Sequence, residues 1–133
     1  MPIELNYLVA SIILFIVMVV VQAAIGARSH SMSELVGPRD NFKDKTAAAE
    51  RARRANQNMI EGLAMFAPLI LVVAVLGRYN EMTALGAALF FWGRLAFAPM
   101  YWLGVPWVRT LAWFVSVAGI VLVLLQILPF AGA

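Results

Sequence analysis

Hydrophobic positions gather into four long stretches separated by polar segments, and the stretches differ in how they admit charge. From about Leu5 to Ala27 the sequence is apolar all round, with Asn6 and Gln22 its only strongly polar members. A helix that is apolar on every side needs an apolar solvent, so this pattern predicts a lipid-facing span. The second stretch starts differently. Ala47 to Asn58 mixes Ala, Arg, Glu, Gln and Asn, all compatible with a helix. The uncharged part, Gly62 to Gly77, has 16 residues, short of the roughly 20 that a crossing takes. The helix is therefore expected to run on through Glu61, Asn58 and Arg54, with Pro68 kinking it. A third stretch, about Met82 to Tyr101, is interrupted by Arg94. Pro106 suits the first turn of a fourth helix, which runs to Leu128 before Pro129.

Between the first two stretches lies a polar segment, 28–46, in which Gly37-Pro38 and Asp40-Asn41 are turn signals. Thr46 suits the N-cap of the helix that follows. Arg78-Tyr79-Asn80-Glu81 reads as a tight turn, and Trp102 to Val105 as a short link. The expected spans are 5–27, 47–78, 82–101 and 106–128. Together they predict one all-α domain, an antiparallel bundle of four transmembrane helices.

Composition agrees with that reading. The 133 residues are 63% hydrophobic and 13% charged, with mean hydropathy +0.87; a soluble domain carries about 25% charged residues. The absence of cysteine excludes disulfides, thiolate metal sites and a cysteine nucleophile. The one histidine, His30, builds no metal cluster alone. A net charge of +3 and a pI near 9.8 would suit nucleic acid in a soluble protein. In a chain this apolar, the basic residues instead mark topology and meet anionic lipid or ligand. Seven of the ten, Arg28, Arg39, Lys43, Lys45, Arg51, Arg53 and Arg54, fall within 28–56. This bias puts the 28–46 loop on the cytoplasmic side and both termini opposite. The N-terminus, with Glu4 and a long apolar run, reads as a retained span rather than a cleavable signal. Trp102 and Trp107 fall where an interfacial belt is expected.

The charges inside the spans are the candidate chemistry, because a charge at bilayer depth is costly unless paired or wetted. Arg51, Arg54, Asn58, Glu61 and Met65 are spaced 3, 4, 3 and 4 apart, which makes one helix stripe. Arg54 and Glu61 then stand about 10 Å apart along the axis. Such a stripe can meet a zwitterionic ligand. Arg94 lies at a depth similar to Glu61 on the neighbouring helix, so the two are expected to form a neutralising pair. Arg109, at the start of the fourth span, would favour the thiolate of a bound thiol. The bland alternatives are bundle packing for Glu61 and Arg94, lipid-headgroup contacts for Arg51, Arg53 and Arg54, snorkelling for Arg109, and a belt position for Tyr101. Gly62, Ala64, Gly86, Ala87, Ala88 and Gly93 are small enough to let helices approach closely.

With these residues in view, the chain resembles the MAPEG family, membrane-associated proteins of eicosanoid and glutathione metabolism, in its prokaryotic type. The stretch from Glu50 to Glu61 is similar to the pattern E-R-x-x-R-A-x-x-N-x-x-E, followed by Phe66, Pro68 and Leu69. Gly93-Arg94, Tyr101 and Pro106-Trp107-Val108-Arg109-Thr110 are similar to the G-R…Y…P-x-x-R-S/T segment of glutathione-using members. The resemblance implies a homotrimer in a bacterial inner membrane, with glutathione as co-substrate bound between subunits in the cytoplasmic half. It implies that Arg54, Asn58, Glu61 and Tyr101 hold the tripeptide and that Arg94 lines or braces the site. Arg28 and Arg51 would be accessory cations. Arg109, reaching across from an adjacent subunit, would stabilise the thiolate, and a lipophilic electrophile or peroxide would enter from the bilayer. No metal or nucleic acid is implied. Three features depart from the characterised enzymes: Arg28 is the single arginine near the first span, Phe97 stands where some members have a tyrosine, and the Tyr101–Arg109 link differs by about a residue. A non-catalytic member of the fold is the alternative. A proton-coupled exporter is disfavoured, since the first span offers no carboxylate and Glu61 sits among arginines.

Overall fold

Residues 1–28 and 46–128 are described in a computed structural model; the loop turns, His30 and Pro129 lie outside them. The elements are α1 (Ile3–Ala27), α2 (Ala47–Leu76), α3 (Glu81–Trp102) and α4 (Pro106–Ile127). All four are long and apolar enough to cross a membrane. At 1.5 Å per residue the 30 residues of α2 extend about 45 Å, beyond the roughly 30 Å of hydrocarbon. Its first, charged turns therefore stand in the interface or beyond it.

Local chemistry sets the ends. The Thr46 side chain accepts from Ala49 N–H at 3.0 Å and starts α2. Gly77, at φ 66°, closes it in the left-handed conformation that a residue without Cβ adopts freely. Asn80 and Thr83 form a reciprocal capping box at the start of α3. Pro106 occupies the first turn of α4. Helix α1 begins two residues earlier than expected and so takes in Glu4, which is 3% exposed. Its carboxylate accepts from the Thr83 hydroxyl at 2.5 Å. The charge-free first span of the sequence reading is thus corrected: an acid is tolerated there because the first turn of α3 supplies a donor.

The start of α1 meets the start of α3 through this bond, and Asn80 reaches Gln126 near the end of α4 at 3.1 Å. At the other end, Asn56 of α2 donates to Gln22 and to the Met18 carbonyl of α1. The four helices therefore alternate in direction. Their core holds Met18, Met59, Phe66, Ile70, Val73, Phe90 and Val123, with Phe66 stacked on Phe90 at 4.1 Å. Ile13, Ile16, Val20, Val75, Leu111 and Phe114 face outward, as lipid contact requires.

The closest packing joins α3 to α4. A Cβ at Gly93 would stand 2.9 Å from the Ala112 carbonyl oxygen, and one at Gly119 would meet the Gly86 carbonyl and, at 2.7 Å, Phe90 N. Backbone rather than side chain fills these gaps, so nothing can turn aside. Gly119→Val should therefore force the helices apart and lower stability by about 1–3 kcal/mol, measured by thermal unfolding in detergent. Gly26→Ala, where a Cβ meets nothing within 4 Å, serves as control; equal melting temperatures for the two variants would refute the close-contact account.

Candidate functional site

The α2 stripe divides when it is folded. Arg54 is exposed and pairs with Glu50 at 3.0 Å, one turn back; Arg53, off the stripe, pairs with the same carboxylate at 2.6 Å. Arg51 turns toward the end of α3, where its Nε donates to the Trp102 carbonyl at 2.9 Å. There it also packs within 3.6 Å of a Cβ position on Gly104, whose φ is 74°. A cation at a helix C-terminus both satisfies an orphan carbonyl and complements the helix dipole. Asn58 is half-buried, whereas Glu61 and Met65 are exposed on the flank of the bundle. Arg28 is exposed just past α1, where its backbone N–H closes the helix on the Ile25 carbonyl.

Arg94 is enclosed, at 2% exposure. The expected ion pair with Glu61 does not form: no oxygen of Glu61 lies within ion-pairing distance among the described residues, and the Glu61 carboxylate takes a 3.5 Å bond from Gln57 instead. Glu61 acts on Arg94 only through its field. The direct partner is Asn58, whose Oδ1 accepts from Arg94 Nη1 at 2.5 Å. The guanidinium also lies 5.6 Å from the Phe90 ring centre and 5.3 Å from that of Phe97, within the range of cation–π attraction. Its Nε has no hydrogen-bond partner among the described residues.

From Arg94 a column of rings leads to the second cation. Phe97 lies 5.2 Å from Tyr101, and the Arg109 guanidinium stands 4.7 Å over the Tyr101 ring. Beside this column is a cavity of about 240 Å³ lined by Asn58, Phe97, Tyr101, Arg109, Thr110 and Trp113. Three helices contribute, and among the described residues the lining holds a guanidinium, an amide and two hydroxyls but no carboxylate. Thr110 turns its own hydroxyl onto the Pro106 carbonyl at 2.9 Å. The site is suited to an anionic or strongly accepting group.

The fold thus brings Asn58, Tyr101 and Arg109 to one cavity within a single chain, with Arg94 directly behind Asn58. Arg54 and Glu61 run along the adjacent flank, and Arg51 and Arg28 lie elsewhere. Phe97 was expected as packing only, and Trp113 carried no expectation. Its signal was available: Trp113 stands four residues after Arg109, on the same face of α4. The buried Asn56–Gln22 bond was likewise unanticipated, although Gln22 was conspicuous in an otherwise apolar span.

Residues 6–129 match the sequence model of the MAPEG family. No curated protein and no solved structure matches the chain.

The Arg51 contact gives a stability prediction. Loss of a hydrogen bond to a charged donor costs about 1.5–3 kcal/mol, so Arg51→Ala should lower the melting temperature clearly. Arg54→Ala removes an exposed pair with Glu50 and should stay within about 1 kcal/mol of the parent. If thermal unfolding ranks the two variants equally, Arg51 is not the brace of the α3–α4 link.

Proposed function

The chain belongs to the MAPEG family, and on that premise we propose that it is a glutathione-dependent membrane transferase or peroxidase acting on lipophilic electrophiles. One observation carries this reading: Arg109 stands over Tyr101 at 4.7 Å, in a cavity shared with Asn58 whose described lining residues include no carboxylate. A guanidinium keeps its proton and lowers the free energy of a thiolate beside it. The cavity, about 240 Å³, is smaller than the roughly 300–1,000 Å³ of sites that enclose a drug-sized ligand. It takes the thiol end of the tripeptide. The remainder lies along the exposed flank, where Arg54 and Glu61 offer opposite charges to a carboxylate and an ammonium. Arg28 and Arg51 are accessory cations, the latter with its Nε already engaged.

The chemistry follows from an ionised sulfur. With an electrophilic carbon, the sulfur forms a C–S bond, the leaving group departs with the bonding pair, and the thiol proton goes to water. With a hydroperoxide, the sulfur takes the terminal oxygen and the O–O bond breaks. The alkoxide gains a proton, and a second glutathione completes the disulfide and releases water. The apolar outer faces of α3 and α4, with Leu95, Leu111 and Phe114 exposed, suit a substrate that arrives through lipid.

A homotrimer fits the same surface. An exposed carboxylate such as Glu61, at the edge of the uncharged segment of α2, is costly against hydrocarbon and is relieved when a neighbouring protomer covers it. The clustering of basic residues in 28–56 supports a cytoplasmic position for this end of the bundle, in a bacterial inner membrane.

Saturating glutathione, at 100 times its Kd, should stabilise the purified protein by about 2.7 kcal/mol. Arg109→Ala should abolish the thiolate absorbance of bound glutathione and lower conjugation to an aryl halide by about 10²–10³-fold, with the melting temperature of the free protein kept. Absence of any glutathione-induced shift would instead assign the chain to a non-catalytic member of the family.

A further inference from the structure

Arg94 is a permanent cation enclosed in the bundle, yet it does not line the cavity that the proposed reaction uses. Its contacts say what it is for. On one side lies Gly62 of α2: a Cβ there would stand 2.8 Å from Nη2, 3.1 Å from Cζ and 3.2 Å from Nε. The guanidinium is thus laid flat on bare helix backbone. Rings of Phe90 and Phe97 lie against it from α3. Wedged in this slot, Nη1 donates to one acceptor among the described residues, the Oδ1 of Asn58, one helical turn from Gly62.

We propose that Arg94 is a positioning residue that fixes the amide of Asn58, so that Asn58 presents its NH₂ group, and not its carbonyl, to the cavity. An asparagine amide can flip, exchanging two donors for an acceptor. Here Oδ1 is turned to Arg94, which lies outside the cavity lining. Asn58 does line the cavity, and its Nδ2 has no partner among the described residues. A flipped amide would place two N–H donors against a cation and turn an acceptor toward the bound anion, unfavourable on both sides. The slot therefore selects a ligand that offers an acceptor, a carbonyl or an ionised sulfur, at Asn58. Gly62 is part of the device, since any side chain there lifts the guanidinium out of reach.

This inference rests on the glutathione reading for its ligand but not for its geometry, and the test separates the two. Four variants are compared with the parent: Arg94→Met, Arg94→Lys, Gly62→Ala and Asn58→Asp. Glutathione binding is measured by calorimetry, and the Asn58 side-chain NH₂ resonances by NMR of asparagine-labelled protein in detergent. Arg94→Met matches the length of the side chain and suits an apolar surround. It should shift and broaden the Asn58 NH₂ signals, as should Gly62→Ala, and weaken glutathione about tenfold, the worth of one oriented hydrogen bond. Arg94→Lys should restore both readouts only in part. Asn58→Asp keeps and strengthens the bond to Arg94 but removes the donor, so it should hold the melting temperature while losing glutathione. The assignment is overturned if Arg94→Met leaves the Asn58 signals unchanged, if Asn58→Asp binds as the parent does, or if Arg94→Lys restores binding in full while the amide stays unlocked, since charge alone then suffices. Failure of the parent to bind glutathione, with the Asn58 signals still dependent on Arg94, defeats the enzymatic reading and upholds the positioning role.

Discussion

Arg94 carries a charge that it cannot shed, and it lies within a bundle whose outer solvent is hydrocarbon. An enclosed cation of this kind costs several kcal/mol unless its surroundings compensate. The compensation is distributed. Asn58 supplies one acceptor, two rings supply the negative faces of their π systems, and Glu61 contributes at a distance. Each is modest, and each depends on helix placement to within about an ångström. Gly62 must be bare for α2 to come near enough, and Phe97 must be in register with Arg94 one turn earlier on α3. The polar end of the bundle is therefore built around accommodating one guanidinium, and the cavity is what remains on the other side of its partners.

The second determinant is the join between α3 and α4. A three-residue link, 103–105, reverses the chain, and the glycine contacts at 86, 93 and 119 hold the two helices at backbone distance. This close approach lets the Arg109 side chain, near the start of α4, lie over a ring at the end of α3. Arg51 braces the same link from α2 through the Trp102 carbonyl. Arg51, expected as an accessory cation, thus also acts on the frame that carries Tyr101 and Arg109. Packing in the middle of the membrane and geometry at the cavity are in this way one problem: the distance set by glycine contacts determines whether cation and ring can stack.

Much of this was legible in residue order. Apolar length gave the four spans, and Thr46 and Pro106 marked starts that the helices keep. The 3, 4, 3, 4 spacing placed Asn58 on a polar stripe, and the motifs around Arg94, Tyr101 and Arg109 pointed to the end of the bundle where the cavity lies. The partners of Arg94 were not legible. Glu61 and Asn58 are nearly one turn apart, about 5 Å along the axis, and choosing between them requires the axial offset of α2 against α3. Helical periodicity carries no information on that offset; it comes from the packing of Gly62, Phe66 and Phe90. The same reason explains Arg51. Its position on the stripe followed from spacing, but the nearest unsatisfied carbonyl belonged to another helix. Glu4 entered α1 because Thr83, far along the chain, offered a donor.

The preference for rings and an amide over a carboxylate has a chemical consequence for the proposed site. Had Glu61 closed on Arg94, two charges would have cancelled and the positive potential behind Asn58 would have been lost. Among the described residues Arg109, too, packs on an aromatic face rather than against an acid. Cation–π contacts hold a guanidinium in place without neutralising it. Two cations therefore remain electrostatically unfinished on either side of a cavity to which the described residues contribute no anion, and in a medium of low dielectric such a field is strong. A ligand that brings one negative charge completes the balance. On the glutathione reading proposed above, a neutral thiol gains that advantage only by ionising, so binding and activation of the sulfur would come in a single step.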